Sequence, residues 1–186
     1  MTAVGSRRAQ ILAVAAQLFA RHGFKETSVQ RIADAVGYSK TGLLHRYPSK
    51  EALQQAVLDR CVGEMRRISA AVDGRPAGPA RDRTVIEALV ELTLRRPGFV
   101  ALLLSIVSTF DPAEIPPHLE AVGDALFAAF AVDPEADVAR TVRVVGALGA
   151  LAVAAVACHD HPAADVRTLL ADVSFDALGH RRAGAN

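Results

Sequence analysis

Thr27-Ser28-Val29-Gln30-Arg31-Ile32-Ala33-Asp34-Ala35-Val36-Gly37-Tyr38-Ser39-Lys40-Thr41-Gly42 is the stretch whose reading decides the fold. Val29, Ile32, Ala33 and Val36 recur at helical spacing, so this segment is a short helix with one apolar face. Thr27 followed three residues later by Gln30 fits a capping box, in which Thr27 accepts from the Gln30 backbone N–H and Gln30 reaches back. Gly37 supplies the stop, and Ser39 is placed to cap the next helix, which Pro48 ends after about two turns. Two short helices joined by a glycine turn are the layout of a helix-turn-helix.

Working outward, residues 7–22 carry Ile11, Leu12, Ala15, Ala16, Leu18 and Phe19 on one side of a helix that stops at Gly23. Phe24 follows where a residue packs back on the last turn. On the other flank Ser49 caps a fourth helix, in which Ala52, Leu53, Ala56, Val57, Cys61, Met65 and Ile68 form an apolar stripe. A helix that enters the major groove reads bases with its N-terminal residues, here Ser39, Lys40 and Thr41. Lys40 can donate to guanine O6 and N7, while Thr41 offers a hydroxyl and a methyl group. His45, Arg46 and Lys50 stand where they can contact phosphates. Core formation alone does not account for this pattern, because residues 40–47 contain too few apolar side chains.

Charge agrees with that reading. Residues 1–60 hold nine basic and four acidic residues, the remainder 12 basic and 16 acidic, and all three lysines fall in the first 50 positions. A basic first third on an acidic body expects an anionic partner for the N-terminus alone. With 51% apolar and 22% charged residues, the chain has the composition of a folded domain rather than a disordered one.

Thr27 to Ala33, Val36-Gly37-Tyr38-Ser39-Lys40 and Tyr47-Pro48-Ser49-Lys50-Glu51-Ala52-Leu53 together resemble the DNA-binding domain of the tetracycline-repressor (TetR) family of bacterial transcriptional regulators. The resemblance covers residues 7–53, about a quarter of the chain, and ties caps, glycines and basic positions together. It implies an all-helical cytoplasmic homodimer whose C-terminal domain binds a small molecule and thereby alters operator affinity. It also implies that phosphate and base contacts lie at Thr27, Ser28, Ser39, Lys40, Thr41, His45 and Lys50. This chain departs from the family where Leu44 replaces a usual tyrosine, a phosphate contact, and where Arg46 replaces a more usual His or Tyr.

The expected architecture is all-α, with about nine helices. A helix-turn-helix domain over residues 1–53 precedes a helical effector-binding and dimerisation domain over residues 54–186. Asp73 to Pro79 is a loop by composition, and Arg95-Arg96 followed by Pro97-Gly98 stops a helix begun near Val85. Phe99 to Val107 is nearly all apolar, Leu119 to Phe130 marks another helix, and two long helices close the chain at roughly Pro134–Cys158 and Ala163–Gly179. The longest uncharged apolar run, Val144 to Cys158, has 15 residues, fewer than the roughly 20 needed to span a bilayer, so no membrane contact is expected.

The helix through that run is apolar on every face and rich in Gly and Ala. A second copy is expected to cover it through Gly146, Gly149, Ala152, Val153 and Val156, with Leu169, Leu170 and Val173 of the last helix. The alternative is a central helix buried within one subunit. Candidate walls for an effector pocket are Leu89, Leu92, Phe99, Leu103, Val107, Phe110, Phe127 and Phe130, each of which also serves as plain core. With no Trp in the chain and no Tyr in the C-terminal part, the effector is expected to be apolar or aliphatic rather than polyaromatic.

Other chemistry is sparse. Cys158-His159-Asp160-His161 contains metal-ligand types, yet it sits at a helix end where histidine favourably meets the dipole. No nucleophile elbow, P-loop, dinucleotide fingerprint or zinc-protease motif is present, and no cofactor is expected. The leading expectation is a ligand-responsive regulator that binds a double-stranded DNA operator. Its competitor is a small helical hydrolase or metal-dependent enzyme built on His118 or the His159/His161 pair.

Overall fold

A computed structural model of the protein describes residues 3–107 and 117–180. Among these residues there are nine helices and no strand: α1 (Ala3–Glu26), α2 (Val29–Val36), α3 (Lys40–Arg46), α4 (Lys50–Ala71), α5 (Pro79–Arg95), α6 (Pro97–Val107), α7 (Pro117–Ala129), α8 (Val138–Ala157) and α9 (Ala163–Ala177). The chain divides into two compact units, Met1–Gly63 with Gly98–Leu119, and Glu64–Pro97 with Glu120–Asn186. The sequence-based division after residue 53 follows function. The units part ten residues later, inside α4, and the first also takes in α6.

The first unit forms around α1. Ile11, Ala15, Ala16 and Phe19 are buried with Ile32 and Ala33 of α2, Leu43 of α3, and Leu53, Val57 and Cys61 of α4. Each large side chain in this cluster stabilises the unit by roughly 1.5–3 kcal/mol relative to exposure. Phe99 and Leu102 complete the same core, which explains why α6 belongs here. Its first turn lies directly on α1, since a Cβ on Gly98 would stand 2.8 Å from the Gln17 backbone nitrogen. Pro97-Gly98 therefore opens α6, with proline at a helix start where its missing N–H costs nothing.

In the second unit α8 and α9 pack together and α5 packs on both. Val85, Ile86 and Val90 of α5 share the interior with Phe130, with Val144, Ala147 and Leu151 of α8, and with Val166 and Leu170 of α9. Two charged residues are buried among them. The Arg81 guanidinium donates to the carbonyls of Ala129 (2.6 Å), Ala128 (2.7 Å), Arg75 (2.6 Å) and Val72 (3.0 Å), joining the end of α7 to the turn that follows α4. Asp82, wholly buried, accepts from Arg140 at 2.5 Å, and His180 Nε2 lies 2.6 Å from the same carboxylate oxygen. These contacts tie α5 to α8 and to the residue beyond α9.

By length and composition α8 is long and apolar enough to cross a membrane. The uncharged run counted from sequence omitted its first turns, which contain Arg140 and Arg143. Val144, Ala147 and Leu151 turn its inner face into the unit, leaving the outer face apolar as well.

Candidate nucleic-acid interface

The helix-turn-helix is set by its caps. Ser28 Oγ accepts from the Arg31 N–H at 3.1 Å and starts α2. Gly37, at φ 70° and ψ 35°, ends it in the left-handed conformation that glycine adopts without steric cost. Ser39 Oγ then accepts from Gly42 N–H at 3.0 Å and starts α3, as its sequence position predicts. Ser49 does the same for α4 through Ala52 N–H at 3.1 Å. The Glu51 carboxyl, in the first turn of α4, is held below its ordinary pKa by its own backbone N–H and by the Ser49 hydroxyl.

Thr27 departs from expectation on both counts. It is 0% exposed, and its hydroxyl lies 2.8 Å from the Gly23 carbonyl and 3.2 Å from that of Leu18, donating to the end of α1. The helical path of α1 breaks at Gly23, and the threonine hydroxyl bonds to the carbonyls at and before that break, those of Gly23 and Leu18. Thr27 thus neither caps α2 nor reaches the surface for a phosphate, and the cap falls to Ser28. Gln30, expected to close the capping box, donates to Asp34 Oδ1 at 2.6 Å.

Lys40 and Thr41 are exposed at the start of α3, with Ser28 exposed at the start of α2. His45 and Arg46 are exposed on the last turn of α3, whereas Leu43 is fully buried and anchors the helix. Leu44 is half-buried. Lys50 is otherwise engaged: its ammonium donates to the carbonyls of Phe24 (2.8 Å) and Lys25 (3.1 Å) and stands 4.4 Å from the Phe24 ring centroid. Sequence offered no signal for that clasp, which joins positions 26 apart.

The proposed pocket residues fall into both units. Phe99 is buried in the core of the first unit, with Leu103 half-buried in it. Leu89, Leu92 and Phe130 are buried in the second, where Phe127 is half-buried. Phe110 and the side chain of Val107 lie outside the described residues.

On α8 and α9 the pattern is sharper. Among the described residues the exposed large hydrophobics, Val138, Val142, Val145, Val153, Val156, Leu169 and Val173, all belong to these two helices, with Val153 61% and Leu169 67% exposed. Gly146 and Gly149 lie on α8, and a Cβ on either would meet nothing within 4 Å; Ala152 is half-buried. Leu170, expected on the same face, is only 3% exposed and points into the unit. Sequence reading passed over Val138 and Val142 because Arg140 and Arg143 interrupt the run, and left out Val145 although it lies within it; the spacing of all three continues the stripe.

Among the described residues no group of three or more His, Cys, Asp or Glu side chains is placed to hold a metal ion. His159 engages the Val156 carbonyl through Nδ1 at 3.0 Å and Asp160 through Nε2 at 3.2 Å. His118 is half-buried and His161 exposed.

A helix-turn-helix packed against a preceding helix, with exposed cations on its third helix, is the architecture of a duplex-DNA-binding module. Residues 11–57 match the family model described as bacterial regulatory proteins, tetR family. Over these residues the chain is similar to the tetracycline-repressor (TetR) family. The chain is 46% identical over 56 residues to the HTH-type transcriptional regulator RutR of Escherichia coli (strain K12), a stretch covering 30% of this chain and 26% of that protein. It is 38% identical over 88 residues to the HTH-type transcriptional repressor KstR2 of Rhodococcus jostii (strain RHA1), covering 45% of this chain and 43% of that one. The chain thus matches these curated relatives over less than half their length. Among solved structures, a tetR-family transcriptional regulator from Streptomyces coelicolor superimposes with a TM-score of 0.54 and 26% identity, covering 95% of this chain and 82% of that one. A TetR-like transcriptional regulator from Rhodococcus sp. RHA1 shares the fold, with a TM-score of 0.62, 21% identity and coverage of 94% and 97%.

Proposed function

We propose that the protein is a sequence-specific transcriptional repressor, working in the cytoplasm as a homodimer and released from its operator by a small apolar or aliphatic effector. The observation that carries this reading is the capped α3, with Lys40 and Thr41 exposed on its first turn, inside a unit that matches the TetR family over residues 11–57. Ser39, Lys40 and Thr41 serve base readout. Ser28, His45 and Arg46 serve phosphate contact, and Lys50 holds the frame through Phe24 and Lys25. The names of the relatives, a regulator and a repressor, support the class of activity.

Dimerisation has its own support. A monomer leaving seven large aliphatic side chains exposed on two packed helices carries a patch of the kind that marks an interface. A second copy packed on α8 and α9 covers Val145, Val153, Val156, Leu169 and Val173 and gives the dimer two α3 helices, one for each half-site of a two-fold operator. An effector that favours a different subunit arrangement by about 1–3 kcal/mol changes operator affinity some 5–150-fold.

Selection of bound fragments from the source genome tests the whole reading. Recovery of a two-fold symmetric site, bound with a steep salt dependence, supports it. Enrichment of no sequence removes it.

A further inference from the structure

Arg7, near the start of α1, places a charge beside Tyr38 in the turn before α3, and neither the helix-turn-helix motif nor the contacts assigned above include it. Its guanidinium carbon stands 6.0 Å from the centroid of the Tyr38 ring. Tyr38 occupies the turn between α2 and α3, where its backbone N–H donates to the Ala33 carbonyl at 2.8 Å. Its ring lies on the first turn of α3, with Cδ1 3.6 Å from the place a Cβ on Gly42 would take. Arg7 itself is exposed.

The chemistry of this pair favours an anion. A guanidinium 6.0 Å from a ring centroid is within reach of the ring's attraction for cations, and its planar fork of N–H donors suits phosphate oxygens. The anion that reaches the first turn of α3, if that turn enters a major groove, is the flanking DNA backbone. On the reading given above, we propose that Arg7 donates to a DNA backbone phosphate beside α3 and that Tyr38 is the positioning residue that aims it. The contact extends the footprint from α2 and α3 to α1 and ties the docking of α3 to the side chain that precedes its cap.

The test needs no operator. Binding to a random-sequence duplex of about 30 base pairs is governed by phosphate contacts, and each one adds about 0.9 to the slope of log affinity against log salt. Arg7→Ala is expected to lower that slope by about 0.9 per bound subunit, which lessens the affinity lost between 50 and 200 mM salt by about 3.5-fold per subunit. Tyr38→Leu is expected to lower it similarly, Tyr38→Phe to leave it unchanged, and Arg7→Ala with Tyr38→Leu to lower it no further than either alone. Thermal melts by circular dichroism identify any variant that fails to fold, and Arg7→Gln then replaces Arg7→Ala. A wild-type slope in the folded Arg7 variant overturns the contact. A wild-type slope in Tyr38→Leu overturns the positioning role. Wild-type protein that binds the duplex without salt dependence, or not at all, overturns instead the DNA-binding reading on which this one rests.

Discussion

The ammonium of Lys50 donates to the carbonyl oxygen of Phe24 across 2.8 Å, with the Phe24 ring beneath it. This joins the start of α4 to the chain leaving α1, on either side of the helix-turn-helix. Lys50→Ala strips two carbonyls of a charged donor, each such bond contributing about 1.5–3 kcal/mol. Urea unfolding is expected to show a loss of about 1–3 kcal/mol, with the salt slope on random duplex unchanged. A stable variant with a reduced slope would return Lys50 to the phosphate contacts.

Lys40 carries base preference in the proposed complex. Lys40→Ala is expected to relax preference at one position per half-site and to cost about 1–3 kcal/mol at the selected operator. Repeating the fragment selection with the variant measures this directly, and an identical consensus would take Lys40 out of base readout.

The first turn of α4 links pH to stability. Because the Glu51 carboxyl titrates below its ordinary range, its contribution is present in full above that range and is lost as pH falls through the lowered folded value. The causes are the Glu51 backbone N–H first and the Ser49 hydroxyl second. Ser49→Ala is therefore expected to move the Glu51 titration upward, as followed by carboxyl-resolved NMR. No movement would remove the Ser49 hydroxyl as a cause, leaving the backbone N–H and the Lys50 charge.

Gly98 separates packing from helix propensity. Its Cβ position lies 2.8 Å from backbone rather than from a movable side-chain tip, so Gly98→Ala must displace α6 from α1. The expected loss is about 1–3 kcal/mol in chemical denaturation. Gly63→Ala, in open space inside α4, is expected to gain about 0.5–1 kcal/mol. Equal effects at both sites would mean that the α1–α6 contact is looser in solution.

At Gly149 nothing lies within 4 Å of a Cβ, so the first atom of a side chain there meets no neighbour inside the subunit. In a symmetric dimer Gly149→Leu is introduced twice, at a typical cost of about 1–3 kcal/mol per site. Analytical ultracentrifugation is expected to show a folded monomer that retains weak duplex binding and loses tight operator binding. A dimer of wild-type strength would move the interface off this stripe.

Much of the helix-turn-helix was legible because its signals are local. Gly37, Ser39 and Ser49 act within four residues of themselves, and the structure shows each in the role its position predicts. Thr27 and Ser28 mark the limit: two adjacent hydroxyls fit one cap, and the choice was made by the α1 carbonyls across the turn. Likewise Pro97-Gly98 reads equally as an end or a beginning until Gln17 is known to lie against it. The clasp of Lys50 and the inward turn of Leu170 depend on which faces meet in space, which periodicity alone does not assign.

Arg81 bears on how the protein responds to ionic strength. Its guanidinium is buried against neutral carbonyl oxygens at the end of α7 and in the turn after α4, so mobile ions in solution have little access to the attraction. Contacts between exposed side chains and DNA phosphates, by contrast, are traded directly against those ions. In the proposed complex, raising salt is therefore expected to loosen the grip on nucleic acid while this internal joint holds, a reversible release that requires no unfolding.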